Sequence, residues 1–152
     1  MDQINKVKSL SIWIFIVPFV GINTCLILIT QFQGLFPNQE DIIHNTIPYF
    51  DGGASISRTA RPFPSWLIFK PAMFLTSYLL IRYWLYNKGI IELFNKHHKY
   101  INKVVYFGIA SAIALTIHSI FLGIKFDNDL YKLFRRVVML LFISFEIAAQ
   151  AY

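Results

Sequence analysis

Arg58 and Arg61 stand three residues apart in the stretch "SISRTAR", with Ser55, Ser57 and Thr59 beside them. A guanidinium is a planar fork of donors that suits phosphate or carboxylate oxygens. If the stretch is helical, the two arginines share a face. Just before them, "DGGAS" is turn chemistry, since Gly52 and Gly53 permit positive φ and close backbone approach. The chemistry indicated is capture of an anion. Asp51, His44 and Ser55 also raise a hydrolytic reading, with His118 as a further base. Hydrolysis needs a nucleophile, a base and an orienting acid together. Neither a GxSxG nor an HExxH motif occurs, so no catalytic residue is assigned.

The remaining metal-binding and redox signals are weak. His97 and His98 are adjacent, among lysines, which suits a solvated turn. Cys25 is the one cysteine, so an internal disulfide and a Cys-rich metal site are both excluded. No metal and no cofactor is expected.

The elements that must position these residues are apolar. Of 152 residues, 56% are hydrophobic and 14% charged, against about 25% charged in an ordinary soluble domain. A membrane helix needs about 20 apolar residues. Four runs qualify: Leu10 to Gln31, Ser65 to Tyr86, Val104 to Ile124 and Leu133 to Tyr152. They are continuous rather than alternating, which favours helices over barrel strands. The expected fold is all-α, a single membrane domain of four transmembrane helices with a long outer loop between the first two. Lys6 and Lys8 precede the first run as they would in a signal peptide, but its apolar stretch is too long and no small-x-small site follows. Pro18 and Pro71 are expected to kink their helices. The fourth run ends at Tyr152 without a polar flank, as a piece of a longer bundle would.

The formal charge is +6. Basic residues flanking apolar runs meet anionic headgroups and bias topology, so nucleic acid is not an expected partner. With the N-terminus inside, seven basic residues fall inside and six outside. The Lys-rich connection "NKGIIELFNKHHKYINK" decides for both termini inside.

Ionisable groups within a span default to functional hypotheses. At about 1.5 Å per residue, Lys70 lies roughly 8 Å and His118 roughly 6 Å outward of their span centres. Both therefore sit beneath the first loop. Glu146 lies roughly 5 Å inward, with Gln150 one turn further on the same face. Arg82 can reach that level by snorkelling, so Arg82, Glu146 and Gln150 are expected to form a structural intramembrane pairing. Arg58, Arg61, Lys70, His118 and Asp51 are the candidate site for an anionic headgroup. Phe32, Leu35, Phe36, Ile42, Ile43, Ile47, Tyr49 and Phe50 give the first loop reason to pack on the bundle top.

The segment "TIPYFDGGASISRTARPFPSWLIFKPAMFLTSYLLIRYW", residues 46–83 above all, resembles the Frag/DRAM/Sfk family of multi-pass membrane proteins. That family carries an "IPYISD-x-G" element after its first span, then a proline leading into a second span that ends in "RY". The matching residues are Ile47, Pro48, Tyr49, Asp51, Gly53, Pro64, Ile68, Phe69, Arg82 and Tyr83. The resemblance implies a helical bundle tied to lipid organisation, GPI-lipid handling or trafficking. The expected function is thus a non-enzymatic, multi-pass integral membrane protein with lipids as partners. An accessory subunit bound to other membrane subunits and a lipid-modifying enzyme are the alternatives.

Overall fold

The computed structural model describes residues 2–38, 40, 42–43, 49–50, 55–94, 100–124 and 129–151. Five α-helices and a 3-10 turn make up the described residues: α1 (Asp2–Gln31), the turn Gln33–Leu35, α2 (Ile56–Thr59), α3 (Ser65–Phe94), α4 (Ile101–Phe121) and α5 (Asp129–Ala151). No strand occurs among them. Asp51, His44, Ile47 and the His97–His98 pair lie outside the described residues.

The four long helices pack in chain order, each antiparallel to the next. Gly21 of α1 meets Ala72 of α3 so closely that a Cβ would stand 2.8 Å from the alanine Cβ. Cys25 Sγ lies 3.3 Å from the carbonyl oxygen of Ser65. One end of the bundle thus gathers the C-terminal ends of α1 and α4 with the N-terminal ends of α3 and α5; we call it the loop end. Pro18 and Pro71 are both accommodated within helices.

The main core joins Cys25, Phe69, Met73, Leu80, Ala112, Leu115 and Leu122. Polar side chains are buried too: Ser65, Thr76, Ser77, Ser111 and Ser119. Thr76 and Ser119 donate to the carbonyls of Ala72 and Leu115 on their own helices, both at 2.8 Å. The exterior is the reverse. On α1, Trp13, Phe15 and Phe19 are 53%, 66% and 55% exposed. Small and hydroxyl residues between helices with large apolar ones outside is the arrangement expected in lipid.

Two helices are long and apolar enough to cross a membrane, Gln3–Gln31 and Ile101–Phe121. The expectation of four such spans is met in part. Within the expected runs α3 carries Lys70 and Arg82, and α5 carries Arg135, Arg136 and Glu146. These charges break both apolar runs.

The first loop folds onto the end of α1, where Ile29, Phe36, Ile42 and Ile43 form a small buried cluster. Phe32, Leu35, Tyr49 and Phe50 remain exposed, so only part of the loop's apolar set packs there.

Candidate functional site: a cationic cleft at the loop end

α5 is fastened to α4 by aromatic contacts at the loop end. Tyr131 donates its hydroxyl to the carbonyl oxygen of Phe121 at 2.5 Å. Phe134 meets the Phe121 ring edge-on, with centroids 5.3 Å apart. This clamp fixes the first two turns of α5, and helical spacing then puts Tyr131, Lys132, Arg135, Arg136 and Met139 along one side.

That side faces a cleft of about 880 Å³. Across from it lie Ile56, Ser57 and Arg61; Phe69, His118 and Leu122 form the base. Met139, Leu140 and Ile124 complete an apolar wall. The described lining thus holds four permanent cations, Arg61, Lys132, Arg135 and Arg136, and no carboxylate. Asp129 pairs with Lys132 at 3.1 Å from an exposed position beside the cleft. The Arg135 guanidinium stands over the Tyr131 ring, 5.8 Å from its centroid. His118 lies against Arg135. Nδ1 of His118 and Nε of Arg135 are both buried without a hydrogen-bond partner. Uncompensated buried polar atoms are costly and uncommon, and here they adjoin a cluster of like charges. Gly123, with φ +99°, turns the chain out of α4 against the Arg61 carbonyl, 3.6 Å from where a Cβ would be.

Of the residues expected to hold an anion, Arg61 and His118 come together in this cleft. Arg58 and Lys70 do not line it. α2 ends at Thr59, so Arg58 and Arg61 do not share a helical face; Arg58 is exposed while Arg61 turns into the cleft. Lys70 donates to the carbonyl oxygen of Ile120 at 3.3 Å and lies over the Trp66 ring at 5.5 Å. Its charge thus serves the C-terminal end of α4, a favourable place for a cation. Asp51 is outside the described residues. From the sequence, Lys132, Arg135 and Arg136 enter only among the six basic residues expected outside. Their signal was the i, i+3, i+4 spacing of Lys132, Arg135 and Arg136.

A second polar cluster lies deeper. Glu146 accepts from Ser111 Oγ at 2.6 Å, from Trp84 Nε1 at 3.4 Å and from Gln150 Nε2 at 3.2 Å. Trp84 reaches the carboxylate because Gly108 has no side chain; a Cβ there would fall 2.2 Å from the indole. The expected Glu146–Gln150 contact is present, but Arg82 does not join it. Arg82 donates to the hydroxyls of Tyr78 and Tyr86 at 3.0 and 2.6 Å on the outer face of α3. The reason is angular: two residues along a helix is about 200°, so a helix that turns Trp84 inward turns Arg82 outward.

No protein-family model, curated protein or solved structure matches this chain.

Proposed function

We propose that the chain is a multi-pass integral membrane protein of four membrane helices whose loop-end cleft binds an anionic lipid headgroup, with no chemistry performed on it. The observation that carries this reading is the cleft: four permanent cations without a carboxylate in the described lining, set against apolar walls. A soluble anion needs no such walls, and an apolar ligand needs no such cations. A hydrolytic role lacks an acid in the described lining to orient His118. The resemblance to the Frag/DRAM/Sfk family implies the same broad role, and the proposal does not depend on it.

Packing supports four spans. The C-terminal ends of α1 and α4 lie at the same end of the bundle, joined through α3 by the Cys25–Ser65 and Lys70–Ile120 contacts. If α1 and α4 both cross, the chain must return between them, and α3 is the element that makes the return. Its charges are compatible with that. Lys70 and Arg82 are roughly 18 Å apart along the axis, and their heads rest among Trp66, Tyr78 and Tyr86, residue types suited to a membrane interface. α5 is joined to α4 along its length, from Phe121–Phe134 to Phe107–Phe145.

The test is native mass spectrometry of the protein in mild detergent. Anionic lipid should co-purify, and the Arg61→Ala/Arg135→Ala double variant should lose it. Unchanged bound-lipid composition in that variant would remove the basis of the proposal. A second reading, an accessory subunit of a larger complex, draws support from α5. Its apolar outer residues, Leu133, Leu140 and Ile147 among them, are more than half exposed, and its uncharged run between Arg136 and Glu146, roughly 14 Å long, is short for a bilayer core. A stoichiometric protein partner in the same spectra would favour that reading.

A further inference from the structure

We infer a second lipid site, at the far end of the bundle from the cleft: Tyr78, Arg82 and Tyr86 on the outer face of α3 hold the phosphate of a glycerophospholipid in the leaflet opposite the loop end. The inference rests on the reading of α3 as a membrane span and on nothing in the cleft.

Hydrogen bonding is the first argument. Arg82 donates to the hydroxyl oxygens of Tyr78 and Tyr86 at 3.0 and 2.6 Å. Its guanidinium stands over both rings, 5.9 and 5.2 Å from their centroids. The three residues are spaced by four and form one column on a single face. A phenol that accepts through an oxygen lone pair keeps its own hydrogen to give. Neither hydroxyl hydrogen has an acceptor among the described residues. An O–H whose oxygen already accepts from a cation is polarised into a stronger donor. The phenols are neutral, so they solvate the Arg82 charge without cancelling it. Among the described residues no carboxylate pairs with Arg82; Glu92 on the same helix pairs with Lys88 at 3.8 Å. The column therefore presents two O–H donors on either side of a permanent cation. The free oxygens of a lipid phosphate accept from both phenols, and its negative charge meets the guanidinium.

Position is the second argument. Lys6, which precedes the first apolar run, lies over the Tyr86 ring at 6.0 Å. That contact puts Tyr86 at the boundary of the apolar layer and the Arg82 backbone one turn, about 6 Å, inside it. The guanidinium lies nearer the Tyr86 ring than the Tyr78 ring, so the stem carries the charge toward that boundary. Phe74 continues the column one turn toward the bilayer centre, and Phe74, Leu75, Tyr78 and Leu85 are all exposed. Donors flanked by apolar surface in lipid are costly to leave without acceptors. A glycerophospholipid meets both conditions, because its phosphate takes the donors while its acyl chains lie along Phe74 and Leu75.

The experiment presents the detergent-purified full chain with phosphatidylglycerol or with diacylglycerol of identical acyl chains, and reads retention by native mass spectrometry. Separate samples receive inorganic phosphate as competitor. The deciding variant is Tyr78→Phe/Tyr86→Phe, which keeps both rings and the charge and removes only the two hydroxyls. It is measured with and without Arg135→Ala/Arg136→Ala, so that this site and the cleft are read apart. Phosphatidylglycerol should be retained in preference to diacylglycerol, and inorganic phosphate should displace it only at large excess. Loss of the two hydroxyls should weaken retention at this site on the order of tenfold, as the loss of two hydrogen bonds implies, in both backgrounds. Arg82→Gln should weaken it at least as much, and Tyr106→Phe, at an exposed tyrosine of α4, should leave it intact. Retention undiminished without the two hydroxyls overturns the inference and leaves the cleft reading standing. Equal retention of diacylglycerol by the unaltered chain overturns the assignment to phosphate. Displacement by inorganic phosphate at equal concentration makes the site one for a soluble anion and overturns the assignment to lipid. Whether α3 spans is decided apart from all of these, by the sidedness of residues 58 and 88.

Discussion

Glu146 and Arg82 illustrate how far residue type alone carries. Each is an ionisable group in an apolar helix, at depths that permit a pair, yet the structure satisfies them separately. Glu146 takes hydrogen bonds from Ser111, Trp84 and Gln150, and Arg82 from its position on α3 gives two to Tyr78 and Tyr86. Two mutations therefore have unequal effects. Glu146→Ala leaves the indole N–H without its acceptor and opens space between three helices, an expected loss of about 1–3 kcal/mol. Arg82→Ala, on the exposed face, should cost less than about 1 kcal/mol. In the double variant the two costs should add, because the groups share no partner. Thermal unfolding in detergent measures all three, and strong non-additivity would restore the direct pair. Gly108→Ala is the sharper probe of the same corner. A Cβ at 2.2 Å from the Trp84 ring has to displace the indole from Glu146. Overpacking of this kind costs about 1–3 kcal/mol, whereas Gly34→Ala, which meets nothing within 4 Å, should be far milder.

At the scale of elements, apolar length was legible and azimuth was not. The four expected runs fall on the four long helices, with Leu122 to Ile124 past the end of α4 and Tyr152 outside the described residues, and their order along the chain is also their order in space. The helix ends were less visible: α3 runs on to Phe94 and α5 begins at Asp129, beyond the apolar runs in each case. Continuation into polar sequence leaves no change of periodicity to read. The cationic cleft was half legible for a related reason. Depth along an axis is counted from sequence, and His118, expected beneath the first loop, lines one cleft with Arg61. Direction around an axis depends on which neighbour a helix packs against, and that hid the α5 cations and misjudged Arg58, Lys70 and Arg82. The Phe121–Tyr131–Phe134 contact is what turns α5 toward the cleft. Phe121→Ala is accordingly expected to weaken anionic-lipid retention severalfold although Phe121 does not line the cleft. Tyr131→Phe, which removes one hydrogen bond but keeps the ring, should weaken it less. Native mass spectra of the two variants decide; equal retention in both and in the unaltered chain would mean that α5 keeps its place without the clamp.

For the whole molecule the decisive question is how many times the chain crosses, and the packing makes it answerable by sidedness. Suppose only α1 and α4, the two helices that qualify by length and apolarity, span the bilayer. Residues 58 and 88 would then lie on one side, and residue 132 on the other. With four spans, residues 58 and 132 share a side, while residues 8 and 88 share the opposite one. The bundle favours the second pattern, because the ends of α1 and α4 that would be separated in the first lie together in it. Cys25 is buried and is first replaced by serine, which retains a donor for the Ser65 carbonyl. Single cysteines are then introduced as Lys8→Cys, Arg58→Cys, Lys88→Cys and Lys132→Cys, and intact cells are treated with a membrane-impermeant maleimide. Labelling at 58 and 132 alone is the expected outcome, with both termini inside as the Lys-rich connection before α4 suggests. Labelling at 8 and 88 alone would keep the four spans and reverse their orientation. Labelling that joins 58 with 88 would dismantle the bundle as a membrane unit, and with it a cleft whose cations come from both α5 and the segment after α2.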